Sequence, residues 1–191
     1  MLFNYDFYEI DTNYLKFLYE NEKEVYYSES YSNKLKPYIG IVVCIKKYNY
    51  FIPLTSAKEK HKSLQNISDS HMLIYEILNN SKISSNDIFI KHTETSSKHI
   101  LSVLDFRKMI PVPDGCYKRV SIKDIEDEKY KSLLTKEYNF LKTKQDKILK
   151  ISKKLYDKQI TTGKIARTHC DFKKLQDCMQ NYIKTKQENM K

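Results

Sequence analysis

The apolar positions repeat differently in the two parts of the chain. Phe7 to Ile10 alternates as a first strand does, and Asp11 or Thr12 can cap a short helix carrying Tyr14, Leu15, Phe17 and Leu18. Residues 26–36, YYSESYSNKLK, are polar and Ser-rich without either period and read as a loop. From Tyr38 the run YIGIVVCI is continuous and β-branched, as expected of a buried strand, and KKYN turns it into YFIPL, predicting a hairpin. Further strands are predicted at HMLIYEIL (71–78) and DIFIKHT (87–93). HILSVLDFR and MIPVP are either neighbouring strands or one strand bent before Pro111.

From about Ser121 the period becomes helical. Leu133, Leu134, Tyr138, Leu141, Ile148, Ile151 and Leu155 share one stripe, which Gly163 ends. A last helix capped by Asp171 carries Phe172, Leu175, Met179 and Tyr182. The pattern predicts an α+β fold: a small, strongly curved antiparallel sheet or barrel of about five to seven strands, with packed helices and a long C-terminal helical region. At 191 residues it forms one domain, β-rich over about 1–120 and helical over about 121–191. Lys147, Lys150, Lys154 and Lys158 recur at three- and four-residue steps, hence on one flank of the long helix. They form either an ordinary solvated face or a contact for a polyanion.

Composition favours the polyanion. Lys+Arg total 34 against 24 Asp+Glu, a formal charge of +10 with a pI near 9.2, which points first to nucleic acid. An anionic membrane is the rival, but no apolar stretch approaches bilayer length and MLFNYDFYEID lacks a basic signal-peptide start, so a soluble cytoplasmic protein is expected. Cys44, Cys116, Cys170 and Cys178 are scattered without metal-ligand spacing and read as reduced packing thiols; no metal site is expected. With 3 Gly there is no glycine-rich phosphate loop, so no nucleotide cofactor is expected. The 16 Tyr suit stacking on single-stranded RNA, although each alone suits a half-buried core position equally.

The stretch IPLTSAKEKH (52–61) concentrates chemistry. Pro53 can end the strand while Thr55 or Ser56 caps a helix beginning near Ala57. That explains the hydroxyls but leaves Lys58, Lys60 and His61 at the positive end of a helix dipole, which an anionic ligand would make sensible.

YIGIVVCIKKYNYFIPLTSAKEKH, then SVLDFRKMIPVP (102–113), then YKSLLTKEYNFLKTKQDKI (130–148), in this order and spacing, resemble the ToxN/AbiQ family of type III toxin–antitoxin endoribonucleases over most of the chain. The resemblance implies a compact curved sheet similar to the SH3-like barrel of MazF/Kid toxins. It also implies metal-free RNA cleavage that leaves a 2',3'-cyclic phosphate, with cellular or phage mRNA as substrate. The expected partner is a small structured repeat RNA, a pseudoknot antitoxin, which the toxin cuts from its precursor and which inhibits it within a closed toxin–RNA hetero-oligomer. Growth arrest and abortive infection are the implied outcomes. By matching position the family motif falls on Thr55, Ser56 and Lys58, and its Tyr and Lys match Tyr31 and Lys36; the loop differs in length, leaving Tyr27, Ser32 or Lys34 as alternatives.

Thr55, Ser56 and Lys58 would stabilise the phosphorane, Lys36 crowded by cations could act as a base, and Tyr31 could orient the nucleotide or relay a proton. Asn33, Lys34, His61, Arg107, Lys108, Lys118, Arg119, Lys147, Lys150 and Lys154 are the candidate RNA contacts. A non-catalytic RNA-binding module would need the same charge but not the hydroxyls.

Overall fold

The computed structural model describes residues 6–28, 39–83 and 87–188. Tyr31, Asn33, Lys34 and Lys36, with the alternative Ser32, lie outside the described residues. Strand β1 (Tyr8–Ile10) leads into helix α1 (Thr12–Asn21), whose first turn is capped by Asp11 accepting the Tyr14 N–H at 2.9 Å. The predicted hairpin is β2 (Ile39–Ile45) and β3 (Tyr48–Ser56), joined through Lys46 in the left-handed region. β4 (His71–Asn79), β5 (Ile88–Lys91) and β6 (Ser96–Asp105) follow. Two short strands, β7 (Ile110–Pro111) and β8 (Tyr117–Arg119), complete the set. The segment through Pro111 is thus a strand followed by a separate one, with a 3-10 turn at Phe106–Lys108 between them.

The strands form one antiparallel sheet in the order β4-β6-β3-β2-β1-β8, with β5 added to β6 and β7 to β3. It curls into a half-barrel. β3 is the pivot: along one edge it pairs with β2, and along the other first with β7 at Tyr50 and Phe51, then with β6 from Leu54 to Ser56. Pro53, which has no N–H to donate, falls where the second partner changes. The strand therefore does not stop at the proline; it carries Thr55 and Ser56 to its own end.

The helical region is two helices rather than one, α2 (Glu128–Lys142) and α3 (Gln145–Thr162). They part at Thr143, whose N–H and hydroxyl both bond the Phe140 carbonyl, at 3.1 and 2.8 Å, so the last turn tightens and the axis is free to change direction. Gly163, left-handed, closes α3 as expected. α4 (Phe172–Glu188) starts with Asp171 accepting the Lys174 N–H at 3.0 Å.

The core lies between the sheet and these helices, with Tyr14, Tyr50, Phe51, Phe106 and Phe172 fully buried. Its buried tyrosine hydroxyls are paired. The Tyr14 hydroxyl donates to the Pro111 carbonyl at 2.7 Å, and the Gln176 amide donates to Tyr50 and Tyr156 at 2.9 Å each. The four cysteines are all free thiols, and three of them are buried. No described helix is long and apolar enough to cross a membrane.

Candidate active site

A cleft of about 920 Å³ opens over the far ends of β3 and β6, walled by α2 on one side and by the segment after β3 on another. In the antiparallel register Thr55 lies opposite Val103 and Ser56 opposite Ser102. Directly opposed side chains share a face, so the two serines stand together on the side toward α2. One residue before Ser102 β6 bulges: Ser102 pairs with Ile74 but Ile100 with Tyr75, leaving Leu101 with no opposite number and lining the cleft.

Beyond Ser56 no α-helix begins. The expected helix near Ala57 is a five-residue 3-10 turn, Glu59–Ser63, started by Lys58, and neither Thr55 nor Ser56 caps it. His61 does that work: its Nδ1 accepts the Lys58 N–H at 3.1 Å while its own N–H bonds the Lys58 carbonyl at 2.8 Å. An accepting Nδ1 puts the neutral ring's proton on Nε2. Burial, then the Lys60 and Lys58 charges, hold the imidazole below the usual histidine range, so it is neutral at pH 7. It thus fixes the Lys58 backbone and offers one ring N–H.

Another part of the cleft lining is an ion-pair network. Buried Asp105 accepts from Arg107 Nε at 2.8 Å and Nη2 at 2.7 Å, and from the Tyr26 hydroxyl at 2.8 Å. Such a fork holds the guanidinium at the cleft edge in one orientation. Burial and the Asp105 charge raise the Tyr26 phenol, which therefore stays protonated. His71 beside it is fully engaged, its Nε2 on the Gln65 carbonyl at 2.9 Å and its Nδ1 on Ser68 at 2.9 Å.

The α2 wall presents Tyr130, Leu133, Leu134 and Glu137. Glu137 is 3% exposed, and burial pushes its carboxyl up to about 7, with the facing Ser102 hydroxyl offsetting part of the rise. No cation pairs with it among the described residues, since neighbouring Lys136 is bound to Glu76 at 2.8 Å. Sequence reasoning passed over Glu137, Ser102, Asp105 and Tyr26. A signal existed for Glu137: an acid between Leu134 and Leu141 on the apolar stripe.

The family model described as "Toxin ToxN, type III toxin-antitoxin system" matches residues 6–180. This chain belongs to the ToxN family. Among its relatives, the endoribonuclease ToxN of Bacillus thuringiensis subsp. kurstaki is 29% identical, with 94% of this chain and 84% of that protein covered. The endoribonuclease ToxN of Pectobacterium atrosepticum is also 29% identical, covering 93% and 94%. A solved structure of a type III toxin–antitoxin system, described by selective toxin inhibition by a non-coding RNA pseudoknot, superposes with a TM-score of 0.70 at 26% identity, over 94% of this chain and 98% of that one.

Of the site positions expected from sequence, Thr55, Ser56, Lys58, His61 and Arg107 all line the cleft. Lys108 does not: it is buried, with its ammonium on Glu24 and over the Tyr26 ring, so it braces the interior instead of facing a backbone phosphate. Lys118 and Arg119 are exposed on β8 at the other end of the strand order, Arg119 paired with Asp6 at 2.9 Å. Lys147, Lys150 and Lys154 are exposed on α3, with Lys154 on Asp69 at 2.8 Å. Tyr27, the remaining alternative for the family tyrosine, packs against Tyr19 away from the cleft lining.

Proposed function

We propose that this chain is an endoribonuclease toxin that cuts RNA by attack of the substrate's own 2'-OH, releasing a 2',3'-cyclic phosphate without a metal cofactor. The supporting observation is the convergence of Thr55, Ser56, Lys58 and the His61 ring in one cleft, a set of donors and one cation suited to a pentacoordinate phosphate. Thr55 and Ser56 stand at the end of a paired strand, which holds them still, with the Ser56 hydroxyl on the α2 side. Lys58 supplies charge, and the neutral His61 offers Nε2–H. Tyr31 and Lys36 are assigned the remaining roles of orienting the nucleotide and moving protons. Relatives named as endoribonucleases ToxN support the activity.

The inhibitor is a small structured RNA, a pseudoknot cut by the toxin from its own repeat precursor and held in a closed hetero-oligomer. Cellular or phage mRNA is the other substrate, and growth arrest or abortive infection is the outcome. The structure with a pseudoknot inhibitor supports this partner for a related fold. The curled sheet is also consistent with kinship to the SH3-like barrel of MazF/Kid toxins.

Ser56→Ala decides between this reading and a non-catalytic RNA-binding module. Cleavage is expected to fall about 100-fold or more, with the thermal midpoint and antitoxin affinity essentially unchanged. The parent protein should cut in excess EDTA and should fail on RNA carrying a 2'-deoxy sugar at the scissile nucleotide. An Ala variant as fast as the parent overturns the assignment.

A further inference from the structure

The cleft is divided chemically. The Thr55 and Ser56 hydroxyls come from the end of β3, Lys58 and the imidazole from the segment after it, and a further cation from the Arg107 rim. The α2 wall offers an aromatic ring, two leucines and a single carboxyl, and Leu101 from the β6 bulge lies with them. A nucleotide is divided the same way, a charged phosphate beside a flat apolar base with polar edges. Resting on the endoribonuclease reading, we infer that the α2 wall holds a nucleobase flanking the scissile phosphate, and that the Glu137 carboxylate accepts a hydrogen bond from that base's exocyclic amino group. Glu137 is thus a specificity-determining residue.

Placement carries this. Ser56 and Ser102 share a face, and Glu137 meets Ser102 from α2, so the carboxyl sits one side chain from the hydroxyl assigned to the phosphate. A purely structural glutamate would be expected to find a cation or several N–H donors at such burial; among the described residues none is bonded to it. An ionised carboxylate only accepts. Adenine, cytosine and guanine each offer an amino group, whereas uracil's one ring N–H lies between two carbonyl oxygens that a carboxylate repels.

The test uses the full-length toxin at pH 8 and short RNAs altered one nucleotide at a time beside the cut. Adenosine is replaced by purine riboside and guanosine by inosine, each deleting one amino group, and cytidine by uridine, which exchanges its amino group for a carbonyl. At one position the parent's kcat/KM should fall about tenfold. In Glu137→Met the same change should cost nothing, and the variant should melt no lower than the parent, because it removes a buried carboxyl that no cation pairs among the described residues. Glu137→Gln, near in size and able to donate, should cut the uridine RNA better than the parent does. If no amino deletion slows the parent, or if the deletion costs the Met variant as much, the inference fails while the nuclease stands. If the parent cuts none of these RNAs, the endoribonuclease reading itself fails.

Discussion

His61 is tied to Lys58 by a bond that one proton removes. The Nδ1 that accepts the Lys58 N–H is also the nitrogen that imidazolium formation would occupy. The folded protein holds the ring below its usual range, so between the folded pKa and the unfolded value near 6.5 the unfolded chain binds more protons. The stability from this contact is therefore complete above about pH 6.5 and is lost as pH falls through the folded pKa. Cleavage should show an acid limb in the same range. His61→Ala should lower kcat/KM about 10- to 100-fold through a displaced Lys58, and should remove that limb from the pH–rate profile while leaving the remainder. A profile whose acid limb survives in the Ala variant would show that another group titrates. Residues 55–61 were legible because strand end, hydroxyls and bases are contiguous. Asp105 and Tyr26 were not, since folding brings them to the cleft from distant parts of the chain, and Glu137 showed only as an acid on an apolar stripe.

At the scale of elements, the hairpin, the later strands and the final helix follow the periods read from the sequence. The departures are local competitions. A continuous apolar stripe over Leu133 to Leu155 predicts one helix, but Thr143 bonds back to Phe140 and the chain breaks there. Pro53 predicts a strand end, but a change of partner from β7 to β6 accommodates it. Neither is visible in a hydrophobic pattern, which records burial and not which carbonyl a hydroxyl will find.

The joint between α3 and α4 shows what such contacts contribute. Gln159 is buried, its amide N–H₂ donating to the Cys170 carbonyl at 3.0 Å and its oxygen accepting the Phe172 N–H at 2.7 Å, so one side chain satisfies the start of α4. Gln159→Leu leaves both backbone groups buried and unpaired. It is expected to cost about 2–3 kcal/mol, read as a lower denaturant midpoint with an unchanged m-value. A loss under about 0.5 kcal/mol would mean that α4 starts without this help.

For the molecule as a whole, the positive charge is distributed unevenly in its use. Some of it is internal, as Lys108 on Glu24, and some is paired at the surface, as Arg119 on Asp6 and Lys154 on Asp69. A count of lysines could foresee a polyanionic partner but not which lysines remain available to it. Lys147 and Lys150 have no ion pair among the described residues, while the Lys154 hydrogen bond and charge, then the Lys158 and Lys147 charges, hold the Asp69 carboxyl below the usual range. If the antitoxin backbone lies along this flank of α3, changing Lys147, Lys150 and Lys154 together to Gln should weaken RNA binding and flatten its salt dependence. Each lost phosphate contact reduces the log–log slope by roughly 0.7 to 0.9. Lys154 must first leave Asp69, so it should contribute least, and a fall of roughly 1.4 to 2.7 spans two contacts to three. Solvated lysines beyond a Debye length of about 8 Å change the slope hardly at all. A salt series for the triple variant therefore separates the cases: a slope equal to the parent's makes this flank ordinary surface and moves the RNA path to the Arg107 rim and to Lys118.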